Sequence, residues 1–142
     1  AIVSGGQRIL LSVEIDIPKD YHLYAPGVEG YYAVEWKMAS AELAKPHDID
    51  FPKSRILYLK AIDEKVPVFE GKIRLLRDVT LAHSKVLTQA AGSSKQFTIE
   101  GTLRYQACSD RLCYPPETVP LRWNLQFDPH DSLRVPAELR KK

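Results

Sequence analysis

Cysteine is nearly absent from this sequence, with two among 142 residues, Cys108 and Cys113, and methionine is rarer still. Two thiols and the scattered His22, His47, His83 and His130 argue against a structural zinc site, which needs four ligands. No C-x-x-C stands before a helix, which argues against a thioredoxin-like motif. No apolar run approaches the roughly 20 residues that cross a bilayer. No basic stripe offers a footprint for nucleic acid: the net charge is +2, the basic residues are dispersed, and Lys141 and Lys142 read as a solvated tail. Repeats, low-complexity tracts and a signal peptide are also missing. The chain starts at Ala1 without methionine. It therefore reads as a mature domain or as a piece of a longer protein whose other segments lie outside view.

Uninterrupted helix-forming sequence is scarce as well. Ten prolines and seven glycines punctuate the chain, and proline removes a helix hydrogen bond and clashes with the preceding turn. What is plentiful is alternation. Ile9, Leu11, Val13, Ile15 and Ile17 share one face while Ser12, Glu14 and Asp16 share the other, the period of a half-buried strand. Tyr32, Val34, Trp36 and Met38 repeat it. Phe97, Ile99, Leu103 and Tyr105 do so again, as do Leu121, Trp123, Leu125 and Phe127. Ile56 to Leu59 reads as a short buried strand, and Lys72 to Leu76 and Lys85 to Thr88 as weaker strands. Ala91-Gly92-Ser93-Ser94 reads as a loop. Short strands and frequent turns predict an all-β, immunoglobulin-like antiparallel sandwich of one domain over 1–142. Residues from about 128 read as a linker-like tail with one helical turn at Pro136 to Leu139.

The cysteines lie in Tyr105-Gln106-Ala107-Cys108-Ser109-Asp110-Arg111-Leu112-Cys113-Tyr114-Pro115-Pro116-Glu117, between two clear strands. Four intervening residues are enough to bring the Cβ atoms within disulfide range. Closing so small a loop restricts the unfolded chain by only about 2 kcal/mol. A local bridge that stabilises little raises the reading of redox work. From spacing alone, a structural disulfide in an exported domain stands ahead of it. Cys–His nucleophilic catalysis finds no histidine near the pair in sequence.

The remaining candidates have plainer readings. Each histidine is isolated and reads as exposed or satisfied in the core. Asp63 and Glu64 are paired carboxylates, but such a dipeptide is more often a solvated turn. Tyr21, Tyr24, Tyr31 and Tyr32 cluster around Gly27 and Gly30. They read as core and turn aromatics, with a recognition surface as the minority reading.

The stretch Tyr105-Gln106-Ala107-Cys108 to Cys113-Tyr114-Pro115-Pro116 resembles the cysteine hairpin of the N-terminal periplasmic domain of the DsbD thiol:disulfide interchange family. Ile17-Pro18-Lys19-Asp20-Tyr21-His22-Leu23-Tyr24 is similar to that family's segment after its first core strand. Phe69-Glu70-Gly71-Lys72 is similar to its cap loop, and Thr118-Val119-Pro120-Leu121 to the strand after its active site. The hairpin with its double proline is the specific part. Its cysteines stand one residue closer than in the best-known member, and Pro67 and Val68 replace acidic residues before the cap aromatic.

The resemblance implies an immunoglobulin-like sandwich with the cysteines on an exposed hairpin. It implies that Cys113 forms mixed disulfides with partners and Cys108 resolves them. It places Phe69 over the disulfide as a cap, with Glu70, Tyr21, Tyr24, Tyr114 and Pro115 around the site. The implied electron donor is a thioredoxin-like domain of the same membrane-anchored parent protein. The implied acceptors are a periplasmic disulfide isomerase or a cytochrome c maturation thioredoxin, and no cofactor is needed. The competing function is a non-catalytic immunoglobulin-like interaction module with a structural bridge. A sugar- or peptide-binding sandwich is a further rival, and would need an aromatic groove around Tyr21 to Tyr32.

Overall fold

The computed structural model describes residues 2–39, 41–59 and 63–127. The expected tail from 128, with its turn at Pro136 to Leu139 and with His130, lies outside the described residues. Among the described residues eleven strands run in the order β1 (Ile2–Val3), β2 (Arg8–Asp16), β3 (His22–Tyr24), β4 (Glu35–Met38), β5 (Ala44–Asp50), β6 (Arg55–Leu59), β7 (Glu64–Phe69), β8 (Lys72–Leu81), β9 (Gln96–Tyr105), β10 (Ala107–Cys108) and β11 (Glu117–Phe127). They form three sheets, ordered β1-β11-β9-β4, β2-β8-β5 and β10-β3-β7-β6. All strand pairs are antiparallel except β1 with β11.

The alternating strands explain the two larger sheets. Ile9, Leu11 and Val13 of β2 and Leu75 and Val79 of β8 join Trp36, Ile99, Leu103 and Leu125 of the β1-β11-β9-β4 sheet in one core. Each such side chain taken from water contributes roughly 2 kcal/mol before entropy is set against it. Trp36 and Trp123 stack at 5.7 Å in this layer, and the Arg77 guanidinium sits 5.7 Å from the Trp36 ring. Leu23 of β3 and Phe69 of β7 extend the same core into the small sheet, so the third sheet shares the sandwich's interior.

Several elements differ from the expectations. Lys85 to Thr88 belongs to helix α1, Ser84–Ala91. Its buried residues are Leu87 and Ala91, while Gln89 between them, which would share their face in a strand, is exposed, so the pattern is that of a helical face. Gly92, read as loop, closes that helix at φ 61° and opens a single 3-10 turn to Ser94. Ile56 to Leu59 is a strand, but β6 is the edge of its sheet, with Ile56 and Tyr58 exposed rather than buried. β5 and β7 had no strand reading because each contains proline. Pro46 is accommodated at a sheet edge beside a bulge. Pro67 accepts a hydrogen bond from the Ala25 amide at 3.0 Å. Having no N–H, it cannot return it, and β3 ends one residue earlier.

The long β9–β11 ribbon sets up the site. Its register runs unbroken from Gln96↔Gln126 to Tyr105↔Glu117. β1 covers β11 only at Gln126 and Phe127, leaving the rest of its outer edge, Pro120 included, without a strand partner among the described residues. On the other side, β4 pairs Met38 with Gly101. A Cβ at Gly101 would stand 2.6 Å from the Lys37 carbonyl oxygen. Gly101→Ala must therefore push β4 off β9, and about 1–3 kcal/mol of stability should be lost. Urea unfolding checks this, and an unchanged midpoint would show that the strands part freely.

Candidate functional site

Between Tyr105 and Glu117 the ribbon opens into an excursion that carries both cysteines. Pro115 and Pro116 lack N–H donors and cannot continue a ladder with the outgoing strand. The chain instead leaves β9, forms β10 against β3 with Ala107 opposite Leu23 and Cys108 opposite His22, and turns back. The turn is a tight antiparallel loop. Ser109 N–H donates to the Leu112 carbonyl at 2.8 Å, and Tyr114 N–H donates to the Ala107 carbonyl at 3.0 Å. The Ser109 hydroxyl accepts from the amides of Arg111 and Leu112, both at 3.2 Å, as short polar side chains do in turns. Cys108 and Cys113 are bonded through sulfur with their Cα atoms 4.1 Å apart.

Period two then sorts the small sheet into two faces. Ala107, Leu23 and Phe69 face the large core. Cys108, His22, Tyr24 and Val68 face the other way. Cys108, Tyr24, Val66 and Val68 form a second, separate buried cluster, with Val28, Tyr31, Leu57 and Leu59 packed against it. Tyr31 stacks on Tyr24 with ring centroids 4.4 Å apart. The disulfide straddles this boundary: Cys108 is fully buried, whereas Cys113 is exposed on the returning arm.

Tyr24 is the aromatic residue at the bond. Its hydroxyl lies 4.0 Å from Cys113 Sγ and 3.4 Å from His22 Nε2. Burial, and then the neighbouring Tyr31, push its phenol up to about 12. His22 is buried edge-on to the Tyr24 ring. Burial holds its imidazole below the ordinary value, with Glu70 pulling it up and Arg55 pushing it down.

The other expected site residues divide. Tyr21 and Tyr114 meet, hydroxyl to hydroxyl, at 3.3 Å beside the hairpin, and this bond raises the Tyr21 phenol. Tyr114 and Pro115 are exposed next to Cys113. Glu70 pairs with Arg55 and lines a groove with His22, Asp110 and Arg111. Gln106 ties the hairpin to the tyrosine loop, donating to the Tyr114 carbonyl and accepting from Tyr32 N–H, each at 3.2 Å. Asp63 accepts from the Tyr58 hydroxyl at 2.6 Å in the turn before β7, away from the cysteines. His47 meets Thr80 at 2.7 Å, and His83 precedes α1.

Phe69 departs from the expectation. It is 2% exposed, belongs to the large core and stacks on Phe51 with centroids 6.2 Å apart. Its neighbour Val68 is the one that shares a cluster with Cys108. Alternation along β7 allows only one of the two on each face, and the bulkier ring fills the main core.

His22 is the neighbour that sequence reasoning passed over. Its nearest cysteine is 86 positions away in sequence. Only the β3–β10 register brings it opposite Cys108. Among the described residues no group of three or more His, Cys, Asp or Glu side chains is placed to hold a metal.

Fold and site together define a class: an immunoglobulin-like β-sandwich domain that carries one half-buried disulfide on a hairpin. Residues 2–122 match the family model described as thiol:disulfide interchange protein DsbD, N-terminal, and the chain belongs to that family. Among solved structures it is similar in fold to the reduced N-terminal domain of Neisseria meningitidis DsbD. The two are 18% identical with a TM-score of 0.52, over 79% of this chain and 74% of that one. No curated protein sequence matches the chain.

Two outcomes follow from the packing. Phe69→Ala should cost about 3–5 kcal/mol, as loss of a buried phenylalanine does, measured by denaturant unfolding. A loss below 1 kcal/mol would mean that Phe69 is no core residue. His22 has a lowered folded value, so the unfolded chain binds more protons than the folded one. Stability should therefore fall as pH drops from about 6.5 and level off below the folded value. Thermal melts from pH 7.5 to 5 should show this fall in the wild type and less of it in His22→Gln.

Proposed function

We propose that this domain is a thiol:disulfide exchange module, relaying electrons through the reversible Cys108–Cys113 disulfide. The supporting observation is the asymmetry of the pair. One sulfur is sealed among Tyr24, Val66 and Val68, and the other stands on an exposed arm. An incoming thiolate has access to Cys113 and little to Cys108. In the electron-accepting direction, a donor thiolate attacks Cys113 Sγ, the Cys113–Cys108 bond breaks, and Cys108 leaves as a thiolate that takes a proton. The donor's second thiolate then attacks its own sulfur in the mixed disulfide. Cys113 is released, the donor is left oxidised, and this domain holds two thiols. The reverse sequence reduces the acceptor. Cys113 is thus the partner-facing cysteine and Cys108 the resolving one. Tyr21, Tyr114, Pro115 and Glu70 rim the approach.

Family membership supports the wider setting of this proposal. In it, the domain works in the periplasm as part of a membrane-anchored parent and receives electrons from that parent's thioredoxin-like domain. It passes them to a disulfide isomerase or a cytochrome c maturation thioredoxin.

The decisive measurement is the mixed disulfide. Reduced Cys108→Ala, incubated with glutathione disulfide, should accumulate a glutathione adduct at Cys113. The adduct should form at least roughly tenfold faster than in Cys113→Ala, where only the buried thiol remains. Equal rates in the two variants would remove the asymmetry argument. A wild-type reduction potential below about −300 mV would mark the bond as structural and favour the interaction-module reading.

A further inference from the structure

Thiol exchange needs a proton moved off the attacking sulfur, and the exposed sulfur has a route inward. Cys113 Sγ, the Tyr24 hydroxyl and His22 Nε2 lie in sequence, 4.0 Å and then 3.4 Å apart. Both separations are long for hydrogen bonds in the disulfide form, as catalytic contacts often are before a partner docks. The chain is set by the backbone. His22 and Tyr24 are two apart on β3 and so share a face, and the same face receives Cys108 through the β3–β10 register. Tyr31 stacked on Tyr24 holds the phenol ring in place.

We propose that Tyr24 and His22 form a proton relay for Cys113, with Tyr24 touching the reacting sulfur and His22 acting through it as the positioning base. The relay rests on the exchange reading above. When the reduced domain attacks a partner disulfide, the Cys113 thiol proton passes to the Tyr24 oxygen as the Tyr24 proton passes to His22 Nε2. The Cys113 thiolate forms a bond to one partner sulfur, and the other partner sulfur leaves as a thiolate. Cys108, deprotonated in turn, attacks Cys113 Sγ and expels the second partner sulfur. Two electrons go to the partner. Its two sulfurs take up the two protons, one of them returned from the imidazolium of His22. Tyr24 returns to its starting protonation state at the end of each transfer.

The surroundings suit a base that starts neutral. Burial lowers the imidazole and favours its neutral form, and in the tautomer protonated at Nδ1 the Nε2 lone pair accepts from the Tyr24 hydroxyl. The phenol at about 12 carries a proton through without resting as phenolate. The charged and titratable groups facing His22 come from every side. They are Tyr24 on its own strand, Cys108 on β10, Arg55 on β6 and Glu70 at the end of β7. Lys19, Asp20 and Tyr21 precede β3, and Asp110 and Arg111 stand on the hairpin. Glu70 and Arg55 act on the imidazole in opposite directions and are themselves paired, which leaves burial in control.

The test is the pH profile of exchange. The rate of reaction of the reduced domain with glutathione disulfide is followed from pH 5 to 9 in the wild type, His22→Gln, Tyr24→Phe and the double variant. His22→Gln keeps a polar side chain that does not titrate. Tyr24→Phe keeps the ring on Tyr31 and deletes only the hydroxyl. The wild-type rate should rise in two steps, a lower one below about 6.5 as His22 loses its proton and a second at higher pH as solvent itself takes the thiol proton. Each single variant should lose the lower step and react roughly 10- to 100-fold more slowly at pH 7, at or below the low end for general base catalysis, because an exposed thiol also loses its proton to water. The double variant should be no slower than either single one, as for residues acting as a unit. Wild-type and His22→Gln profiles that superimpose would overturn the relay while leaving the exchange function standing. A wild type that does not react with glutathione disulfide at any pH would overturn both.

Discussion

The site depends on two consecutive prolines that end one β-ladder and force the chain to find another. Had the β9–β11 ribbon closed with an ordinary hairpin, its ladder would have run on past Tyr105↔Glu117 without a break. Pro115 and Pro116 supply no N–H for that purpose. Past the break the two arms meet again only at the Cys108–Cys113 bridge, while Ala107 and Cys108 pair with β3 on their other side, and this docks one cysteine into a pocket of aromatic and branched side chains. The other cysteine is carried back out on the return arm. Burial of one sulfur and exposure of its partner are two results of that single interruption.

A consequence is that the disulfide hairpin is pinned at its base and solvent-exposed at its tip. The base has the Ala107–Leu23 and Cys108–His22 pairings and the Gln106 bridge to the tyrosine loop. The tip has Ser109 holding its own turn, with Asp110, Arg111 and Leu112 in solvent. A partner can approach the tip without disturbing the core, because Phe69 and Leu23, on the reverse face of the small sheet, anchor it to the sandwich.

The sandwich was legible in the sequence wherever a strand has one wet and one dry face. β2, β4, β9 and β11 all announce themselves by alternation, and they carry much of the main core. Among the strands not expected from the sequence, β1, β3 and β10 are only two or three residues long, and β5 and β7 contain prolines that local rules read as breakers, where only tertiary placement tells a tolerated proline from a disruptive one. α1 was misread because eight residues show just one repeat of their period. At the site, the cysteines and their place between two strands could be read from the chain itself, while the hairpin with its flanking Tyr114-Pro115 came from the family resemblance. Assigning Phe69 to the disulfide and leaving His22 aside have a common origin. Sequence shows that neighbours on a strand point opposite ways, but it does not show which face is the main core or what lies across the ladder.

The open outer edge of β11 has a further bearing on how such a domain survives. An unpaired strand rim is a template on which another polypeptide can add itself, and repeated addition leads to fibres. Proline is accommodated at sheet edges, where its nitrogen faces solvent and offers no donor. Pro120 sits in the middle of that rim, so a stray chain laid along it meets a gap where a bond is due. The centre of the rim is thereby a poor template for strand addition.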